Sequence, residues 1–148
     1  MSLNLRIDDE IKQAMKSRNA DALSTLRMLK SAIMNDAINK KKNQLEDTEI
    51  LEIIQKQVKQ RRESIDSFKA AARIELAQKE EREIEVLQTY LPKQLSEAEI
   101  KNLVEKAIAS TGATKKTELG KIMKVLMPDT KGRADGKVVS DLAQSMLQ

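Results

Sequence analysis

The sequence predicts an all-α protein, because its composition and the spacing of its apolar residues both favour helices. Charged residues make up 34% of the 148 positions, whereas there are only 4 Gly, 2 Pro, 1 Tyr, 1 Phe and no Trp. Sheet proteins need more β-branched and aromatic residues and more turn signals than this. We expect a bundle built on a long helical hairpin over residues 1–92 and a small three-helix domain over residues 95–148.

The first two predicted elements are amphipathic helices. In the first, the apolar positions recur every three or four residues up to Ser17, and they are Leu3, Ile7, Ile11 and Ala14. The second begins near Asp21 and has an apolar face formed by Leu26, Leu29, Ile33 and Ala37. It ends in a basic run from Lys40 to Lys42, which suits the negative end of a helix dipole.

The third predicted helix is the longest, with Asp47 or Thr48 as its N-cap and its end near Arg73. Its apolar seam passes through Arg61. One interpretation is that Arg61 pairs with a carboxylate, either Glu63 or one on a neighbouring helix. The other is that Arg61 and Arg62 contact a partner protein.

A fourth helix ends before Pro92, because proline cannot continue it. Its predicted inward residues are Ala77, Ile84, Leu87 and Leu91. The acidic run from Glu80 to Glu85 is predicted to lie on a solvated face.

Capping signals define the C-terminal helices. Ser96 and Glu99 form a capping box before an apolar run, and Gly112 closes that helix. Thr117 is the predicted cap of the next helix, which Pro128 is expected to stop. Asp135 is the predicted cap of the last helix, whose expected inner residues are Val138, Val139, Leu142 and Met146.

The residues that conventional catalysis needs are missing from the sequence. Without His or Cys there is no common general base, no thiol nucleophile and no ordinary zinc site. No GxxxxGK[ST] or GxGxxG motif is present to bind a nucleotide. We therefore expect no catalytic residues, no metal and no cofactor.

The sequence also predicts a cytoplasmic location. The first residues become charged by Arg6 and lack the apolar stretch of a signal peptide. No apolar run approaches the roughly 20 residues that span a membrane. The lack of Cys fits a reducing compartment.

One segment is locally basic. Between positions 121 and 137 the sequence has five cations and two acids, and the cations are Lys121, Lys124, Lys131, Arg133 and Lys137. Gly132 and Gly136 would let the backbone approach a ligand closely, and the helix starting near Asp135 would present free N–H groups to an anion. The segment therefore predicts phosphate contacts, with a plain solvated loop as the alternative.

Structured RNA is the nucleic acid that fits this segment best. Too few aromatic residues are available for the stacking by which proteins bind single strands. No helix presents the clustered Arg, Asn and Gln residues that read a DNA major groove, so we expect no DNA partner.

Four segments carry a family resemblance: Thr25 to Ile33 (TLRMLKSAI), Lys59 to Ser64 (KQRRES), Tyr90-Leu91-Pro92 before Leu95-Ser96, and Gly120 to Lys124 (GKIMK) leading into Lys131 to Gly136 (KGRADG). On these the chain resembles the YqeY family, whose C-terminal part is related to the tail domain of the amidotransferase subunit GatB. The resemblance implies a two-part helical fold whose C-terminal part contacts tRNA. The residues it carries over, as tRNA contacts or as shapers of the contact loop, are Gly120, Lys121, Lys124, Lys131, Gly132, Arg133 and Gly136. Of these we expect the glycines, together with Asp135, to shape the loop.

Descriptions of this family also carry a carbon–nitrogen ligase activity with glutamine as amide donor. In the amidotransferase that the family resembles, the ATP-using and glutamine-hydrolysing steps belong to parts absent from this chain. We therefore predict a non-catalytic accessory protein that binds tRNA or associates with a tRNA-modifying or aminoacyl-tRNA enzyme. One alternative is a protein-interaction adaptor that acts through the long hairpin around Arg61 and Arg62 and the loop from Lys40 to Lys42. The other is a component that acts in trans with a glutamine-dependent ligase.

Overall fold

The structure is a computed structural model that describes residues 2–148, so Met1 lies outside the described residues. Within this range the chain forms seven α-helices, one short 3-10 turn and no strand, which confirms the all-α prediction. In chain order the elements are α1 (Leu3–Ser17), α2 (Ala20–Asn39), α3 (Asp47–Ala70), α4 (Ile74–Gln88), α5 (Glu97–Thr111), the 3-10 turn (Lys116–Glu118), α6 (Leu119–Thr130) and α7 (Gly136–Met146).

The chain divides into two compact units, with the division between Leu91 and Pro92. The first unit contains α1 to α4, and the second contains α5 to α7 with the 3-10 turn. Each unit buries its own cluster of apolar side chains.

Short polar side chains cap the first two helices, α1 and α2. The Ser2 hydroxyl accepts the Leu5 N–H at 3.3 Å, and the Asn19 side-chain oxygen accepts the Ala22 N–H at 3.2 Å. The N-cap of α3 is Glu46, not Asp47 or Thr48, because Glu46 and Glu49 bond to each other's backbone N–H groups. The sequence thus placed this helix start one or two residues late.

The core of the first unit is aliphatic apart from one tyrosine. All four helices contribute to it, and its buried residues are Ile7, Leu26, Leu29, Ile33, Ala37, Leu45, Ile50, Ile54, Val58, Ile65, Ala77, Ile84, Leu87 and Tyr90. Because Leu45 precedes α3 and is 3% exposed, the connection between α2 and α3 is anchored in this core.

A buried ion pair joins α3 to α4. Arg61 and Glu83 are each 7% exposed, and Arg61 Nε lies 2.9 Å from Glu83 Oε2. Pairing with a carboxylate of a neighbouring helix is therefore the arrangement that Arg61 adopts. The prediction that the whole acidic run of α4 is solvated is wrong, because Glu83 points inward to neutralise this arginine.

A second polar cluster ties α1 to the end of α4. The Arg6 guanidinium lies over the Tyr90 ring, 4.5 Å from its centroid, and donates to the Thr89 carbonyl at 3.2 Å. The Tyr90 hydroxyl donates to Glu10. Burial and this contact with a carboxylate both raise the pKa of the Tyr90 phenol, so the ring stays a neutral donor.

The second unit begins with the predicted cap of α5. The Ser96 hydroxyl accepts the Glu99 N–H at 3.2 Å, and Gly112 ends the helix in the left-handed conformation with φ 70°. Its core is again aliphatic and consists of Ile100, Val104, Ala107, Ala113, Ile122, Leu126, Val139, Ala143 and Leu147.

Three sequence-based details of the second unit are corrected. Helix α6 continues through Pro128 to Thr130, where the Thr130 hydroxyl donates to the Leu126 carbonyl at 3.0 Å. Thr117 caps no helix, because it lies within the 3-10 turn that precedes α6. Val138 is 49% exposed, since the short α7 turns only the stripe through Val139 and Ala143 fully inward.

Candidate nucleic-acid interface

Lys121 and Lys124 lie on the exposed side of α6. Ile122 and Leu126 of the same helix are buried in the core of the second unit, which turns both lysines away from it. Residues three apart are neighbours on a helix surface. The helix therefore presents the two ammonium groups side by side to solvent.

The loop after α6 has a defined backbone. Gly132 adopts φ +81°, a left-handed conformation that residues with a side chain rarely accept. The N–H groups of Arg133 and Ala134 both donate to the Thr130 carbonyl, at 2.9 and 3.1 Å. This tight turn carries Lys131 and Arg133 on the outside of the second unit.

Three hydrogen bonds fasten the loop to the segment that opens the second unit. The Leu95 N–H donates to the Arg133 carbonyl at 2.8 Å, and the Gln94 amide donates to the Gly132 carbonyl at 3.0 Å. Arg133 Nε donates to the Lys93 carbonyl at 3.3 Å. Arg133 thus braces the loop through Nε, and its terminal nitrogens are the ones that can meet a phosphate.

The N-terminus of α7 is already occupied by the carboxylate of its own N-cap residue, Asp135. The Asp135 carboxylate accepts the Lys137 N–H at 3.0 Å, as expected of an N-cap residue. A phosphate bound there would compete with this carboxylate, so the positive end of the helix dipole is not open as the sequence analysis expected. Any anion binding at this end rests on the side chains, including the exposed Lys137.

The other glycines leave room on the surface. A Cβ atom at Gly120 or Gly136 would meet no atom within 4 Å. Neither residue is therefore required by packing within the second unit. Close approach of a ligand backbone at these two positions stays a prediction.

The five cations outnumber the acids in the same segment. Asp135 is engaged as a cap, and the other acid, Asp129, is exposed. From Lys121 to Lys131 the segment extends about 15 Å, at 1.5 Å per helical residue. A duplex carries one phosphate charge per about 1.7 Å of its axis, so this length suffices to face several phosphates.

The hairpin residues proposed for a protein partner differ in accessibility. Arg61 is buried against Glu83, whereas Arg62 is exposed. In the basic run after α2, the Lys40 and Lys42 ammonium groups lie 3.0 and 2.8 Å from the Glu49 carboxylate. Much of the positive charge expected to reach a partner here is thus neutralised within the first unit.

Two exposed lysines near α6 were overlooked in the sequence analysis. Lys115 and Lys116 precede α6, and both are exposed. Glu118 lies beside them, and a hydrogen bond from the Thr114 N–H is the main cause that lowers its pKa. The two adjacent lysines are visible in the sequence, but they lie before the glycine-containing segment of residues 121–137 from which the phosphate contacts were predicted.

Residues 2–148 contain neither a membrane-spanning helix nor a cluster of metal ligands. No helix in this range combines the length and apolar character that crossing a bilayer requires. Across the same residues, no three acidic side chains converge as metal ligands would.

The fold and the interface define a class: a helical protein of two units whose second unit presents a basic surface. Residues 4–147 match the family model described as Yqey-like protein, and the chain belongs to the YqeY family.

Named relatives come from fungi. A protein of Pyrenophora tritici-repentis named "Altered inheritance of mitochondria protein 41, mitochondrial" is 35% identical over 146 residues, which are 96% of this chain and 79% of that protein. Proteins of the same name from Candida glabrata and Eremothecium gossypii are each 34% identical, over 66% and 57% of this chain and 54% and 46% of their own lengths.

These names correct the predicted location. The relatives are named as mitochondrial proteins, which contradicts the cytoplasmic location predicted from the sequence. That prediction rested in part on the lack of an apolar signal peptide. Mitochondrial leader segments are amphipathic and rich in Arg instead, so an apolar stretch does not test for them.

Proposed function

We propose that this protein is a non-catalytic accessory factor that binds structured RNA, with tRNA as the first candidate. The observation that carries the proposal is the row of cations on α6, the following loop and the first turn of α7, namely Lys121, Lys124, Lys131, Arg133 and Lys137. Phosphate contacts of this kind position a nucleic acid without reading its sequence.

The braced loop supports this proposal. Hydrogen bonds from Gln94 and Leu95 hold the loop carbonyls, so little chain entropy is lost when Arg133 meets a phosphate. Such a pre-formed surface suits a ligand of fixed shape, such as a folded RNA.

The proposal extends to the organisation of the chain. We take the hairpin-containing region of residues 1–92 and the three-helix region of residues 95–148 as separate folding domains, with RNA binding in the second. Association with a tRNA enzyme, or action in trans with a glutamine-dependent ligase, would add to RNA binding and would not replace it. The proposal assumes no cytoplasmic setting, and the mitochondrial names of the relatives make a mitochondrial tRNA a candidate ligand.

Binding of bulk tRNA over a salt series tests the proposal. The Lys121→Ala, Lys124→Ala double variant removes two cations and leaves in place the residues whose hydrogen bonds hold the loop, Gln94, Leu95 and Arg133. If both contact phosphates, the slope of log affinity against log salt should flatten by about 1.4–1.8.

The matched control is the Lys101→Ala, Lys106→Ala double variant. It removes the same charge from exposed positions of α5 in the same unit. We expect its slope to stay close to that of the unchanged protein. Equal slopes for all three proteins, or no tRNA binding by the unchanged protein, would refute the proposed function.

A further inference from the structure

The outward face of α2 forms a shallow groove. It has a volume of about 640 Å³, and all of its lining residues belong to this one helix. They are Ala20, Leu23, Ser24, Arg27, Met28, Ser31, Ala32 and Asn35. From Ala20 to Asn35 the groove runs about 22 Å along the helix axis, the length of a helix of about 15 residues.

Large apolar side chains on the same face are left in solvent. Met28 and Met34 are each 55% exposed, and Ile38 is 70% exposed. Steps of three, four or seven residues connect all three to Ser31, so they share one face. Small residues between them allow close approach of another helix, and methionine adapts its shape to a partner.

The core uses only part of this stretch of α2. Thr25, Leu26, Leu29 and Ile33 are buried, so core packing accounts for their presence. It does not account for Arg27, because its side chain points into the groove and has no ion-pair partner among the described residues. By contrast, Lys30 of the same helix pairs with Asp8 at 2.8 Å.

Charge determines what can cover the groove. Arg27 is the charged residue of the lining, and no acid lies beside it. In a symmetric dimer centred on the groove, the twofold axis would pass near Arg27 and Met28 and would bring the two Arg27 side chains together. Repulsion between like charges therefore disfavours a second copy of this chain as the occupant.

We infer that the α2 face binds an amphipathic helix of another protein, which places aliphatic side chains among Met28, Met34 and Ile38 and a carboxylate against Arg27. Arg61 Nη2 contacts the Met28 sulfur at 3.9 Å, which supports one wall of the groove from below. This surface is separate from the basic segment of the second unit, so it would serve protein association and not RNA binding.

The inference can be tested with synthetic helices. The probes are stapled amphipathic peptides of about 15 residues with a stripe of leucines on one face. Each peptide carries a single Glu beside the stripe, at a position that differs from peptide to peptide. Its control is the same peptide with Lys in place of Glu. Fluorescence anisotropy measures their binding to the full-length protein. We expect at least one Glu peptide to bind saturably and about tenfold more tightly than its Lys counterpart.

Three variants link that binding to the groove. Arg27→Glu should reverse the preference, so that the Lys peptide binds more tightly. Ser31→Trp should abolish binding by filling the groove. Lys56→Glu, the same charge change at an exposed position of α3, should leave binding unchanged. The altered side chains are exposed, so circular dichroism should show the same helix content in all of them.

Other outcomes would overturn the inference. These are no saturable binding by any peptide, a Glu preference that survives Arg27→Glu, or binding that survives Ser31→Trp. Sedimentation that shows a dimer of the unchanged protein, dissociated by Ser31→Trp, would mean that a second copy covers the face.

Discussion

At the scale of single residues, the stability of the first unit depends on a buried arginine that has one main counter-charge. The Arg61 guanidinium is buried between α3 and α4, with Glu83 at 2.9 Å and Glu80 at 3.8 Å. Burial next to the Glu83 carboxylate raises the pKa of Glu80, which therefore gives up its proton less readily. Because its carboxylate lies closer, Glu83 is the main counter-charge of Arg61.

Removing that counter-charge should destabilise the protein strongly. Glu83→Ala leaves Arg61 buried without its main partner, a change that typically costs about 3–5 kcal/mol. Urea unfolding of the variant measures the loss. The control is Lys69→Ala, because the Lys69–Glu81 pair is about half exposed and should contribute less than about 1 kcal/mol. A loss at Glu83 no larger than the loss at Lys69 would contradict the assigned role.

Two glycines of the second unit should respond oppositely to alanine. Gly132 has φ +81° and its added Cβ would be 4.0 Å from the Pro92 ring, so Gly132→Ala costs conformational strain of about 1–2 kcal/mol without a clash. Gly120 is helical and faces open space, so Gly120→Ala should stabilise by about 0.5–1 kcal/mol. Thermal unfolding compares the two variants. A change in melting temperature of the same sign in both would count against the loop conformation described.

At the scale of elements, the connection between α2 and α3 is held by one carboxylate. Glu49 accepts hydrogen bonds from Lys42 Nζ at 2.8 Å, from the Glu46 N–H at 3.1 Å and from Lys40 Nζ at 3.0 Å. Chiefly because of the bond from Lys42, its pKa falls from an ordinary 4.5 to about 2.

This shift predicts how stability depends on pH. A carboxyl whose pKa is lower in the folded state stabilises the fold above its unfolded pKa, and that contribution disappears as pH falls from 4.5 through 2. Glu49→Gln should therefore be less stable than the unchanged protein at pH 6, and the difference should shrink towards pH 2. Glu85→Gln, at an exposed position of α4, is the control. A difference that stays constant over this range would rule out the assigned linkage.

Several helix boundaries of the second unit were predictable from the sequence, because they depend on local chemistry. Ser96 caps α5, Gly112 ends α5 and Asp135 caps α7, each through bonds within a few residues. The apolar spacing likewise placed nearly all the buried aliphatic residues on the correct helix faces.

Features that depend on distant residues were not predictable in the same way. Nothing near Glu83 in the sequence distinguishes it from the solvated acids beside it, since its partner is 22 residues away on α3. For the candidate interface, the cations were evident from sequence, but the bracing role of Arg133 needed the position of Lys93, 40 residues earlier.

At the scale of the whole molecule, the two units carry different kinds of surface. The first unit neutralises many of its charges internally and leaves an apolar, arginine-bearing groove on α2. The second unit leaves four lysines of the cation row exposed and half-buries the fifth cation, Arg133, in a loop that hydrogen bonds fix. We interpret this division as one unit for a protein partner and one for RNA.

Lysine footprinting of the full-length protein with tRNA tests the RNA assignment most directly. Each exposed lysine is acetylated in the presence and absence of tRNA, and mass spectrometry gives the change at every position. We predict protection of Lys121, Lys124, Lys131 and Lys137, with Lys101 and Lys106 unchanged. Protection confined to residues 1–92, or no protection between residues 121 and 137, would contradict the account.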